Sequence, residues 1–297
     1  MWRCACILAL LQPLAGQSPQ FLARLSEEAE AFRRIAPETL SQETWKHRAA
    51  VAKRRFIPRV GKSALQREYR YATREVVSEY GFTTLKTDAD SEPALHELRS
   101  VVSVDGRSVS KVEEARRTLA LGVRSDDDRV KKQMLDKFRR LGVVEPAVDF
   151  GQIILLFGRR NLERYRFQSA GEGLIGAERM AVYDFEEIEG PGALTKFEGR
   201  QMTTARLRGQ IWSRQRDLLP VRISVATVPG EGSSRRDEAV IEYVMSHHGV
   251  LLPVSVVHRA WDGDFLIAEN AYRYAPFRRF AVDAEIKFTE VPPALNP

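Results

Sequence analysis

The chain has 297 residues, 43% of them hydrophobic and 29% charged, with a formal net charge of +6. That balance excludes a disordered chain and a disulfide scaffold, and it suffices to bury a core in one large domain or two small ones. Basic residues are interleaved with acidic ones, which describes a solvated surface and not the continuous stripe of a nucleic-acid binder.

Met1-Trp2-Arg3 gives a short positive start, Cys4 to Leu14 is apolar, and Ala15-Gly16-Gln17 supplies small residues before Ser18-Pro19. This is the three-part pattern of a secretory signal peptide, with cleavage expected near Gly16 or Gln17 and a periplasmic address. The run is too short to span a bilayer as a stable helix. Both cysteines, Cys4 and Cys6, lie within it, so a mature chain would carry no disulfide and no thiol chemistry.

A helical segment is expected over 18–60. Phe21, Leu22, Leu25, Phe32 and Ile35 form one stripe of a helix, and a second helix is expected from Glu38 to about Val51, ending in Lys53-Arg54-Arg55. A sheet domain is expected over 61–290, with a helical insertion at about 110–158. Arg67 to Glu79 reads as a strand, Thr83 to Pro93 as an acidic loop, and Leu95 to Val104 as a strand turning at Asp105-Gly106. Val112 to Leu121 and Asp126 to Leu141 read as helices. In the second, Val130, Met134, Leu135, Phe138 and Leu141 face the core, and Lys131, Lys132, Lys137, Arg139 and Arg140 face water or an anionic lipid surface. Ile153 to Phe157 is the most apolar run after the N-terminus and reads as a short buried helix or strand.

From Ala205 to Phe288 the chain alternates almost without pause. Leu207, Gly209 and Ile211 share a face, as do Val221, Ile223 and Val225, then Ala239, Ile241 and Tyr243, then Leu252, Val254 and Val256, then Phe265, Ile267 and Ala271, and finally Val282 to Phe288. Period-two alternation with short turns predicts an antiparallel meander with one covered face. Residues 291–297 read as a disordered tail.

The chemical motifs are weak. Gly171-Glu172-Gly173-Leu174-Ile175-Gly176 fits the dinucleotide pattern, but a strand follows where the phosphate site needs a helix N-terminus, so a hairpin is expected. Asp149-Phe150-Gly151 matches a kinase tripeptide in the wrong order along the chain. His247-His248 lacks partners at metal-ligand spacing, and His258 with Asp262 or Glu242 is the one acid–base pair worth testing. No catalytic residue, metal or cofactor is therefore assigned.

Gly209-Gln210-Ile211-Trp212, Leu219-Pro220-Val221-Arg222-Ile223, Leu251-Leu252-Pro253-Val254 and the closing 277–288 stretch resemble phrases of the LolA/LolB-like superfamily, periplasmic carriers of outer-membrane lipoproteins and related sensors of the RseB type. The resemblance implies an α+β fold: a strongly curved antiparallel half-barrel with helices over its concave face, and a hollow that takes acyl chains. On that expectation a lipid or lipidated protein is the partner, with peripheral membrane contact and no nucleic acid. The lining is Leu207, Ile211, Ile223, Val225, Tyr243, Val254, Val256 and Ile267. The alternatives are an envelope scaffold or sensor without a small ligand, working through strand edges or the 83–93 loop, and a hydrolase using His258.

Overall fold

The computed structural model describes residues 18–52, 69–85, 94–123, 129–143, 149–190, 192–198, 201–230 and 232–279. The expected signal peptide, the Lys53-Arg54-Arg55 triplet, the strand at 282–288 and the tail lie outside them.

Helix α1 (Pro19–Ile35) opens the described chain, with a proline in its first turn and Arg33 and Arg34 in its last, where each suits the helix end it occupies. Its stripe Phe21, Leu25, Ala29 and Phe32 is wholly buried. The helix expected next is instead strand β1 (Thr39–Ala52). Thr39, Ser41, Glu43, Trp45, His47 and Ala49 point inward and are all buried. The period is two, but its inward residues are mostly polar, so composition disguised it.

β1 pairs with β2 (Tyr69–Leu85), β2 with β3 (Ala94–Val104), and β3 with the short β4 (Arg107–Ser108) across the expected Asp105-Gly106 turn. β2 runs on through Leu85, so Thr83, read as loop, is a buried strand residue. Helices α2 (Val112–Val123) and α3 (Arg129–Arg140) follow, then a 3-10 turn at Ile153–Phe157. β5 (Tyr165–Ile175) and β6 (Glu178–Glu187) form a hairpin, and β7 (Leu194–Glu198) with β8 (Gln201–Ala205) a separate one. The meander is β9 (Leu207–Arg214), β10 (Pro220–Thr227), β11 (Arg235–Met245), β12 (Leu251–Asp262) and β13 (Phe265–Tyr274), and β14 (Arg278–Arg279) returns to β1.

All but β7 and β8 join one 12-stranded antiparallel sheet, in the order β4-β3-β2-β1-β13-β12-β11-β10-β9-β6-β5, with β14 on β1. β13 beside β1 splices the meander to the N-terminal strands. The sheet is curved and unclosed, an α+β half-barrel, and α1, α3 and the 3-10 turn lie on its concave side. α2 lies on the other side of β2 and β3, where Arg116 reaches Glu79 at 3.2 Å and Leu119 lies over Gly81.

One glycine is required by the close approach of a neighbouring strand. A Cβ on Gly209 would lie 1.9 Å from the carbonyl oxygen of Ser224 on the neighbouring strand. Backbone cannot yield as a side chain can, so Gly209→Ala is expected to force β9 from β10 and lower stability by about 3 kcal/mol. The urea midpoint, compared with that of Gly230→Ala, whose Cβ would meet open space, measures this.

Candidate functional site

The concave face divides into an apolar half over β9–β12 and a polar half over β1–β3 and β13. In the apolar half, six expected lining residues meet: Leu207, Ile211, Ile223, Val225, Tyr243 and Val256. The register places Ile211 opposite Ile223, Ile223 opposite Ile241, and Ile241 opposite Val256. All six are at most 4% exposed and belong to one apolar cluster with Phe21 and Leu25 of α1 and Ile153, Ile154 and Phe157 of the 3-10 turn. Phe21 stacks on Tyr183 with ring centroids 3.7 Å apart. The wall is therefore closed by the chain's own helices.

Val254 and Ile267 are not brought to this wall. Each falls at a β-bulge, Val254 between the Glu242 and Tyr243 pairings and Ile267 between those of Ala260 and Trp261, where an extra residue breaks the alternation. Ile267 packs instead against Ala49, Ala260 and Ala268. The second bulge also inverts the reading of β13: Asn270 and Tyr272 point inward and are buried, while Ala271 does not. Tyr243 has a further role that spacing did not reveal. Its hydroxyl donates to the carbonyl of Gly151 at 3.0 Å and accepts from the N–H of Ile154 at 3.3 Å, pegging the loop before the 3-10 turn to the wall.

The polar half was not foreseen. Arg99 donates from Nε to both oxygens of Glu43 at 2.9 Å and from Nη2 to Glu97 at 2.9 Å. Its guanidinium carbon lies 5.0 Å from the Tyr80 ring centre and 5.1 Å from that of Tyr272. Burial pushes the Glu43 carboxyl up, and Arg99 offsets part of that push. Burial likewise pushes the Tyr80 and Tyr274 hydroxyls well above their ordinary value, which keeps them neutral.

Glu97 also accepts from the backbone N–H groups of Asp149 at 3.0 Å and Gly151 at 2.6 Å. Asp149, at a φ of 66°, returns the bond by accepting from the Glu97 N–H at 2.7 Å. Its other oxygen meets the Lys131 ammonium of α3 and, at 3.2 Å, His96 Nδ1. Burial pushes this carboxyl up, but the Lys131 charge and the His96 contact outweigh it and hold the group well below the usual carboxylate range. Asp149-Phe150-Gly151 is thus a latch between β3, α3 and the roof of the wall.

His258 does not pair with Asp262 or Glu242. It is 3% exposed, its Nε2 lies 2.9 Å from Asp237, and its Nδ1 lies 3.1 Å from the amide nitrogen of Asn270. Asn270 Oδ1 in turn accepts from Trp45 Nε1 at 3.0 Å and meets His47 Nδ1 at 2.7 Å. With both ring nitrogens engaged inside the sheet, His258 has no face for a substrate. The glycine motif lies in the β5–β6 hairpin, as expected. Gly173 lies flat against the Trp212 indole, Gly171 sits at a bulge with positive φ, and Gly176 turns the chain. His247 and His248 touch each other in the β11–β12 turn, and among the described residues no group of three or more His, Cys, Asp or Glu could hold a metal ion. No described helix is long and apolar enough to cross a membrane.

Solved structures similar to this chain include a LolA superfamily protein from Nitrosomonas europaea, 12% identical, covering 87% of this chain and 93% of that one with a TM-score of 0.32. A DUF1329 family protein from Desulfovibrio piger is 8% identical over 88% and 94%, with a TM-score of 0.35. A domain from an outer membrane lipoprotein-sorting protein of Vibrio parahaemolyticus is 10% identical over 89% and 94%, with a TM-score of 0.34. No family model and no curated protein matches the sequence.

Two outcomes follow from the ionic centre. Arg99→Met leaves Glu43 and Glu97 facing each other unneutralised, and is expected to cost about 3–5 kcal/mol. Burial already raises the Glu43 carboxyl, and its protonation relieves that repulsion, so the loss in urea melts should be smaller at pH 5 than at pH 8. Asp149 has the opposite sign. Its folded-state value is depressed, so the stability it contributes is present above the unfolded value near 3.8 and disappears as pH falls below it. Asp149→Asn should be less stable than the parent at neutral pH and should converge with it on acidification.

Proposed function

We propose that the protein is a non-enzymatic envelope protein that takes an apolar chain, an acyl group or a lipidated partner, against the inward face of β9–β12. The carrying observation is the continuous apolar wall of Leu207, Ile211, Ile223, Val225, Tyr243 and Val256, roofed not by a second sheet but by one helix and one 3-10 turn. An apolar chain replaces a displaced roof at such a wall better than water does.

The α1 seam supports the reading. Arg24 Nε and Ser26 Oγ are buried in it without a hydrogen-bond partner. Each such group costs on the order of 1–3 kcal/mol that hydration would return when the helix lifts. Glu28, 6% exposed at its side chain, is pushed up by burial although Arg24 pairs with it at 2.5 Å. The seam is thus apolar enough to close and strained enough to open. The signal-peptide pattern supports an extracytoplasmic site of action.

A second reading, a scaffold or sensor with no small ligand, is favoured by the polar half, where Arg99, Glu43, Glu97 and their tyrosines fill the concavity themselves. That filling confines any cargo to the β9–β12 half. The hydrolase reading finds no support in a His258 whose two nitrogens are already bonded.

A fatty acid carrying an environment-sensitive fluorophore tests the proposal. Saturable binding competed by unlabelled palmitate is expected, together with co-purifying lipid in native mass spectra. Absence of both overturns the carrier reading in favour of the second. Glu28→Gln removes a buried charge from the seam. Since the folded value of Glu28 is raised, the parent loses stability as pH rises through it, and the variant should not. Glu28→Gln is therefore expected to melt higher at neutral pH and to bind the probe severalfold more weakly.

A further inference from the structure

The sheet has one end at which aromatic rings lie exposed beside exposed basic side chains. β1 leaves the described chain at Ala52 and β2 enters at Tyr69, paired with it. On the outer face there, Tyr69 and Tyr71 are 44% and 38% exposed. Phe265, where β13 begins, is 39% exposed, with its ring 5.0 Å from that of Tyr69. The Tyr71 hydroxyl donates to the Leu266 carbonyl at 2.9 Å, and the Arg48 guanidinium lies 4.1 Å above the Tyr71 ring. These contacts join β1, β2 and β13 into one rigid aromatic edge.

α3 brings positive charge to the same end from the inner side. Met134 meets the Arg99 N–H, Phe138 packs edge-on against Trp45, and Gly142 lies beside the Arg74 guanidinium. In the register, Arg99 stands opposite Tyr80, Trp45 opposite Val76, and His47 opposite Arg74. The helix therefore descends β1 and β2 toward the Ala52–Tyr69 end. Lys137, Arg139 and Arg140 stand exposed at its foot, and Arg70 is exposed on the adjoining strand. Acids are present as well: Asp105 holds Arg74 at 2.7 Å, Asp136 holds Arg139 at 2.7 Å, Glu269 holds Arg259 at 2.6 Å, Asp262 stands opposite Phe265 in the register, and Asp264 lies in the neighbouring turn.

We propose that this end of the half-barrel docks on an anionic lipid bilayer, with Tyr69, Tyr71 and Phe265 entering the headgroup layer and the foot of α3 lying over anionic headgroups. Exposed rings with one polar tip suit the water–lipid boundary, and long basic side chains reach phosphates while their stems stay in less polar surroundings. Each Lys or Arg near an anionic surface strengthens binding, and salt weakens it. The surface is separate from the β9–β12 wall, so docking stands or falls independently of the cargo reading.

Sedimentation of the full chain with vesicles tests this. One set is phosphatidylcholine, the other phosphatidylcholine with about one-third phosphatidylglycerol. The parent is expected to sediment with the anionic vesicles at low salt, to be released as salt approaches about 0.5 M, and to ignore the neutral ones. Lys137→Glu/Arg140→Glu should weaken binding roughly tenfold or more. Tyr69→Ser/Tyr71→Ser/Phe265→Ser should lower it at constant net charge, and circular dichroism melts verify that each variant folds. Arg166→Glu/Arg179→Glu, which makes the same charge change at the far edge of the sheet, should leave binding intact. Failure of the parent to bind anionic vesicles overturns the proposal, as does an equal loss in the far-edge variant. Capture by heparin with vesicles left untouched overturns it in favour of a polyanion partner.

Discussion

The guanidinium of Arg99 is the interaction on which the interior depends. It is fixed at Nε by Glu43 of β1 and at Nη2 by Glu97 of its own strand, and it is flanked by Tyr80 of β2 and Tyr272 of β13. Four neighbouring strands therefore register on one planar cation. Glu97 passes the constraint on, because its carboxylate also holds the Asp149 and Gly151 N–H groups, and Gly151 receives the Tyr243 hydroxyl. A purely apolar core of equal volume could be as stable. What the ionic centre adds is a fixed geometry for a loop with little regular structure of its own.

That loop explains why the concavity has two unlike halves. Where β1, β2, β3 and β13 supply charges and hydroxyls, Arg99, Glu43 and Glu97 fill the space with one ionic centre, beside which Arg99 Nη1 and the Tyr80 hydroxyl are buried without a hydrogen-bond partner, and an apolar guest would strand the remaining groups. Where β9 to β12 supply branched aliphatic residues, the contacts with α1 and the 3-10 turn are non-directional. A guest of similar shape could replace them at small cost. The boundary falls at Tyr243, whose ring belongs to the wall and whose hydroxyl belongs to the loop.

The sequence made the meander legible because its inward residues are apolar and its turns short. Leu207, Ile211, Ile223, Val225, Tyr243 and Val256 meet as their alternation requires. Val254 and Ile267 escaped because a bulge shifts parity by one residue without any mark in composition. β1 escaped for a different reason: its inward residues include Thr39, Ser41, Glu43 and His47, which look solvated until the partners that satisfy them are known. Those partners are remote in sequence, 56 residues for Glu43 with Arg99 and 223 for His47 with Asn270. Asp149-Phe150-Gly151 caught attention as a motif of another chemistry, while its real task depends on Lys131, His96 and Glu97, which only folding assembles.

The two pieces of the roof are held in different ways, and this decides which one can move. The loop leading to the 3-10 turn is tied by charge-assisted bonds from Glu97 and by the Lys131–Asp149 pair, all in surroundings where a lost partner leaves a costly unpaired group. α1 is held by ring and aliphatic contacts, Phe21 on Tyr183 and Phe32 edge-on to Phe82. On the proposed carrier reading, an arriving apolar chain would replace these contacts. Its directional ties are weaker, since the Arg24–Glu28 pair lies within the helix itself and survives displacement. Lifting α1 gives up the bonds that Glu28 accepts from the Leu251 backbone and Glu30 accepts from the Arg159 N–H, and it frees Arg24 Nε and Ser26 Oγ to meet water. On the proposed carrier reading, an opening of the β9–β12 wall would proceed through α1, while the latched loop stays in place as the fixed part of the roof.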